Sequence, residues 1–110
     1  MDDIPTQLRK GALELAVLAL LAQQPRYGIE IVEDLGSRPG LEASSGTIYP
    51  LLTRLKNSGL VNTTWRESPV GPPRKYYTLS AAGVRHLEAQ RNAWLQLSTA
   101  LITLLKEAQQ

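Results

Sequence analysis

Residues Ser44–Gly83, SSGTIYPLLTRLKNSGLVNTTWRESPVGPPRKYYTLSAAG, decide how this 110-residue chain is read. Ser44 or Ser45 supplies the side-chain oxygen of a helix N-cap. From there Ile48, Leu51, Leu52 and Leu55 recur at i, i+3, i+4 and i+7, the spacing of one buried helical stripe. Thr47, Tyr49, Pro50, Thr53, Arg54, Lys56 and Asn57 are left on the outward side. Pro50 lacks the N–H that would bond the carbonyl of Gly46, so a tight or bent first turn is expected. Gly59 ends the helix in a left-handed position. Leu60–Glu67 alternates Val61, Thr63 and Trp65 in the manner of a strand, and the Pro69–Pro73 run that follows reads as a hairpin loop. Arg74–Leu79 is the returning strand, and Ser80 caps a helix that runs to about Glu107.

Working outward, Leu8–Gln23 is rich in Leu and Ala and apolar almost all round. Such a helix must be buried on every side, and a second subunit is the expected cover for part of it. It stops before Pro25, because the residue preceding a proline is pushed out of helical space. Tyr27–Leu35 reads as a short amphipathic helix whose Glu30, Glu33 and Asp34 take the outer face as solvated charge; no His or further acid joins them as a metal site. Gly36–Gly40 breaks the chain into a turn. In the last helix Leu87, Trp94 and Leu101 stand seven apart, with Leu97 and Leu104 offset by three. This is an a/d seam, interrupted by Gln90, of the kind that packs between subunits.

Composition narrows the classes. The chain is 43% hydrophobic, enough for one small core, and has no cysteine, which excludes disulfides, thiolate metal sites and cysteine nucleophiles. Net charge is only +2, but residues 41–85 carry six Lys/Arg against two Asp/Glu, whereas residues 1–40 carry four against six. Clustered cations suit a polyanion. Gly11–Ala22 is shorter than the ~20 residues of a membrane span. Glu14 interrupts it, and Asp2 and Asp3 are the wrong charges for a secretion signal. A soluble, cytoplasmic protein with no membrane partner is expected.

An enzyme is not expected. His86 is the sole histidine, and neither a nucleophile elbow, a dinucleotide fingerprint nor a phosphate loop is present. No metal or cofactor is called for. The order helix, two-stranded hairpin with a basic tip, helix is instead that of a winged helix-turn-helix facing double-stranded DNA. The expected fold is mainly α with a small β-hairpin, residues 1–79 forming the winged unit and 80–110 a dimerisation helix packed with it. Ser44, Ser45 and Thr47 would permit close approach at a helix N-terminus. Tyr49, Thr53, Arg54 and Lys56 face outward, the first three long enough to reach base edges or backbone. Arg66, Arg74 and Lys75 would bring the wing to adjacent phosphates, and Arg9 and Lys10 would flank it. Arg54, Arg74 and Lys75 are expected on one side of the unit. A winged-helix interaction module that does not bind DNA is the alternative; it would show an uncharged or acidic recognition face, against which Arg54, Lys56, Arg74 and Lys75 argue.

LELAVLALLAQQPRYGIEIVEDL (Leu13–Leu35), SSGTIYPLLTRLKNSGLV (Ser44–Val61) and PPRKYYTLSAAG (Pro72–Gly83) resemble the PadR family of bacterial transcriptional regulators, over roughly Leu8–Trp94. The resemblance implies a homodimer of winged helix-turn-helix units joined through the C-terminal helices, repressing promoters and released by an effector. Its recognition helix would span about Ser45–Asn57, where the family tolerates Tyr-Pro, and its wing about Val61–Leu79. The short form looks like the multidrug-sensing branch, in which a planar aromatic compound lies between two tryptophans, one per subunit; Trp94 stands at the matching distance from RKYY. Two departures are visible. Pro72 and Pro73 occupy places where related sequences often carry a cation, implying a stiffer wing with one phosphate contact fewer. The chain has no Phe, so a pocket would rely on Trp94, aliphatic residues, and Trp65 or tyrosines.

Overall fold

The computed structural model describes residues 6–109. In chain order it contains α1 (Thr6–Gln23), β1 (Arg26–Tyr27), α2 (Gly28–Gly36), α3 (Ser45–Asn57), β2 (Val61–Arg66), β3 (Arg74–Leu79) and α4 (Ala81–Glu107). The hairpin, recognition-type helix and long last helix lie where expected. The sheet has three strands rather than two: β1 pairs antiparallel with β3, Arg26 opposite Tyr77 and Tyr27 opposite Tyr76, giving the order β1-β3-β2. Two residues after a proline carry no periodicity, and their pairing depends on a strand fifty positions downstream.

Local chemistry sets the ends. Glu30 reaches back to accept the Tyr27 N–H at 3.1 Å, which starts α2 at Gly28. Asp34 is not free either. It accepts from Arg38 at 2.6 Å and from Arg26 at 3.4 Å, and the Arg38 hydrogen bond holds its carboxyl below the ordinary carboxylate value. Two of the three acids read as solvated charge therefore have partners, and no cluster of His, Cys, Asp and Glu among the described residues could hold a metal ion. In α3 the Ser44 carbonyl accepts from both Thr47 and Ile48, each at 3.0 Å, a tightened first turn that precedes Pro50. Gly59 takes φ +78° after the last residue of α3.

The core joins all the helices. Leu13, Val17, Leu18, Leu20 and Leu21 of α1 are buried with Ile31 and Leu35 of α2, and with Ile48, Leu51, Leu52 and Leu55 of α3. Val61, Tyr77 and Leu87 complete it. Most of α1 is thus covered by its own chain, and a strip around Leu15 and Ala19 stays half-buried. Leu87 is likewise a core residue, so the uncovered seam of α4 begins at Trp94. No helix among the described residues is long and apolar enough to cross a membrane.

The base of the hairpin meets the start of α4 without a spacer. The Leu60 carbonyl accepts the Ser80 N–H at 3.0 Å, Ser80 Oγ caps α4 by accepting the Gly83 N–H at 3.0 Å, and a Cβ on Gly83 would collide with that same Leu60 carbonyl oxygen. Backbone cannot retreat as a side-chain tip can. Gly83→Ala is expected to destabilise by about 1–3 kcal/mol through overpacking. Gly11→Ala, in the open middle of α1 with nothing within 4 Å, is expected to stabilise by about 0.5–1 kcal/mol. Thermal melts should move in opposite directions for the two variants, and equal shifts would refute the contact.

Candidate nucleic-acid interface

The stripe Ile48, Leu51, Leu52, Leu55 turns one face of α3 to the core, so Ser45, Thr47, Tyr49, Thr53, Arg54 and Lys56 remain exposed on the other. Ser44 shares its hydroxyl with Thr47 at 3.4 Å and does not cap the helix with its side chain. This leaves a short polar ridge flanked by two grooves of different character.

The groove on the α1 side has a volume of about 530 Å³ and is bordered by Arg9, Lys10, Thr47, Pro50 and Arg54, with Leu13 and Leu51 at its apolar wall. Arg9 Nε and Nη2 are buried there without a hydrogen-bond partner among the described residues. A guanidinium in that condition is set up to receive an anion. Glu42 also borders this groove; backbone N–H groups, chiefly its own and that of Gly40, hold its carboxyl below the ordinary value, and Arg9 adds to the effect.

The groove on the wing side, about 250 Å³, is bordered by Tyr49, Trp65, Arg74, Lys75 and the Tyr27–Ile29 turn. Gly28 lets the Tyr49 ring lie close against α2: a Cβ at this position would come within 2.7 Å of the Tyr49 hydroxyl oxygen and push the ring aside. Tyr49, still 39% exposed, is therefore both an outward residue and the side chain that seats α2 against α3. Neither this role nor that of Gly28 is visible in spacing.

The wing cations divide between two faces. Arg66 and Arg74 lie directly opposite each other across the hairpin, and each like charge is relieved by a tyrosine. Arg66 stacks over Tyr76 at 4.5 Å and Arg74 over Tyr27 at 4.4 Å, while the two rings meet edge to face at 5.4 Å. Strand alternation sends Lys75 to the opposite face, beside Tyr77. Arg54 lies on the α1 side. Arg54 thus borders the groove on one flank of the outward α3 ridge, and Arg74 and Lys75 border the groove on the other.

Arg54 also has a neighbour that spacing did not single out. Its Nη2 stands 3.8 Å from Oε2 of Glu14, whose Oε1 is 3.6 Å from His86 Nε2. One carboxylate of α1 thus faces both the recognition-type helix and α4. Its sign was legible as an acid interrupting an apolar helix, but its target was not. Trp94 lies elsewhere, at a groove of about 190 Å³ between α1 and α4 bordered by Leu15, Ala19, Leu87, Arg91 and Leu95.

This geometry has clear counterparts. Residues 17–89 match the transcriptional regulator PadR-like family. The chain belongs to that family. A PadR-like transcriptional regulator from Bacillus cereus is similar in structure, with TM-score 0.84 and 36% identity over 91% of this chain and 97% of that one. A PadR-like transcription factor from Bacteroides fragilis has TM-score 0.76 and 40% identity over 90% and 95%. A transcriptional regulator of Mycobacterium tuberculosis is 30% identical over 96 residues, 87% of this chain and 88% of the relative. This PadR-like protein is accordingly a DNA-binding regulator of transcription and not an enzyme.

The Glu14 carboxylate beside Arg54 offsets part of the positive charge of α3. Glu14→Gln is expected to tighten DNA binding and to steepen the dependence of log affinity on log salt by up to about one. The gain should vanish in the Glu14→Gln, Arg54→Ala double variant. A gain that persists without Arg54 would show that Glu14 acts by its own charge alone.

Proposed function

We propose that the protein is a homodimeric repressor whose two α3 helices enter successive major grooves, and which leaves DNA when a planar aromatic compound binds beside Trp94. In this reading residues 1–79 bind DNA, residues 80–110 dimerise, and the protein works in the cytoplasm.

The observation that carries the reading is the uncovered half of α4. Leu95, Leu97, Leu101, Ile102, Leu104 and Leu105 are between 49% and 62% exposed. At about 100° per residue, Trp94, Leu101 and Leu105 continue the line that Leu87 buries in the core, Leu95 and Ile102 flank it on one side, and Leu97 and Leu104 on the other. The apolar arc is about half the circumference, wider than a solvated helix carries. Ser98, within the arc, turns its hydroxyl onto the Trp94 carbonyl and so does not spoil it. A second copy is the natural cover, since an isologous pairing lays each arc on the other. The angle at which two α4 helices cross would then set the separation of the two α3 helices, which must be about 34 Å to reach half-sites one turn apart.

The Trp94 groove supports the effector part. At about 190 Å³ it is smaller than the ~300 Å³ at which ligand pockets begin, as expected of half a site that a second subunit completes. Arg91, on its border, is paired with Glu88 at 3.0 Å, which offsets its charge and leaves the groove tolerant of a cationic ring.

Leu105→Asp should convert the dimer to monomer in sedimentation equilibrium. It should also weaken binding to a two-half-site duplex far more than binding to one half-site, and a monomeric wild type would end the reading. Planar cationic dyes should quench Trp94 fluorescence and release DNA in mobility-shift assays. If a panel of such dyes alters neither signal, the effector site is not at Trp94.

A further inference from the structure

Trp65 is the most exposed aromatic residue of the chain at 66%, and it stands on the wing rather than in the core. Its strand neighbours on the same face, Val61 and Thr63, are buried and half-buried, because the hairpin runs out past the helices before Trp65 is reached. Lys75 lies directly opposite it across the hairpin. Together the indole and the ammonium border the wing-side groove whose other wall is Tyr49 of α3.

We infer that Trp65 is a DNA-contacting residue: its ring packs on deoxyribose edges of the strand that borders the major groove occupied by α3, with Lys75 on the adjoining phosphate. Charge complementarity selects the occupant. The groove is bordered by two cations, Arg74 and Lys75, and by no acid, so a polyanion is favoured as its occupant. A nucleic-acid strand alternates apolar sugar edges with phosphates, which matches an indole set beside an ammonium. Continuity selects it as well, because Tyr49 belongs both to this groove and to the outward ridge of α3. An apolar ring left two-thirds in water loses that hydration cost on contact, without releasing any counterion.

The inference rests on the placement of α3 in DNA, and the two can fail separately. The probe is a duplex selected from a random library by the wild-type protein. Trp65→Ala should weaken binding about tenfold with no change in the salt slope, since an apolar contact releases no ions. Trp65→Phe should recover most of the loss. Lys75→Ala should weaken binding and reduce the slope by about 0.9, the signature of one phosphate. The chain has only two tryptophans. Protein labelled with 5-fluorotryptophan should therefore give two fluorine resonances, and the one that Trp65→Phe removes should shift on adding the duplex. If that resonance stays put, or Trp65→Ala binds like wild type, the contact is refuted and the ring serves a protein partner or none. If Arg54→Ala and Tyr49→Ala bind like wild type while the Trp65 signals respond, it is the placement of α3 that fails.

Discussion

The arrangement depends on one backbone junction, where the end of α3, both ends of the hairpin and the start of α4 meet around Leu60. The Leu60 N–H bonds the Leu55 carbonyl at the end of α3, and the Leu60 carbonyl accepts from Ser80 at the end of β3. Ser80 Oγ donates to the Gly59 carbonyl at 2.6 Å and accepts from Gly83 at 3.0 Å in the first turn of α4. Gly83 presses on the Leu60 carbonyl with no side chain between them. Backbone groups held this closely have no rotamers to exchange, so the directions of recognition helix, wing and long helix are fixed relative to one another. Everything downstream, including where a partner would sit, inherits that angle.

α1 fills the remaining space and borders both the groove beside α3 and the groove beneath Trp94. Leu13 lies against the groove beside α3, Glu14 faces Arg54 and His86, and Leu15 and Ala19 line the groove beneath Trp94. Three consecutive residues thus face three different neighbours, as a helix that is apolar nearly all round allows. The one acid among them is tolerated because it lies half-exposed where two basic side chains converge.

What was legible in the sequence was what short-range chemistry decides. The Ile48–Leu55 stripe, the Gly59 terminus, the Arg74–Leu79 strand and the Ser80 cap each depend on residues within a turn or two, and all fall where they were expected. What escaped was decided at long range. β1 exists only because β3 offers a free edge, and no pattern within Arg26–Tyr27 could report that. The split of Arg74 and Lys75 follows from strand alternation and was available from spacing, but their joint reading as one basic tip obscured it. Gly28 looks like any turn glycine until Tyr49 is placed on it. How much of α1 its own chain covers is likewise a long-range matter: α2, α3 and the sheet close over it from several directions, which no periodicity within α1 reports.

The rigidity of the junction and the central position of α1 together limit how control could work in the proposed dimer. In the proposed dimer a compound wedged at Trp94 would press on Leu15 and Ala19 on one side and on α4 on the other, so the α1–α4 crossing would take the load. The junction at Leu60 and Gly83 does not bend, because its contacts are backbone to backbone. Strain therefore cannot be relieved by unwinding α3 or tilting the wing. In the proposed dimer it would leave through the apolar half of α4, where the two copies would meet. Each winged unit would then turn as a body about that seam. The recognition surface keeps its shape, Trp65, Tyr49 and Arg54 keep their mutual distances, and what changes is the spacing between one set and its twin. A regulator of the proposed kind would lose its operator by geometry rather than by chemistry: every phosphate and base contact would remain possible for one half-site, and only their simultaneous use would be forbidden.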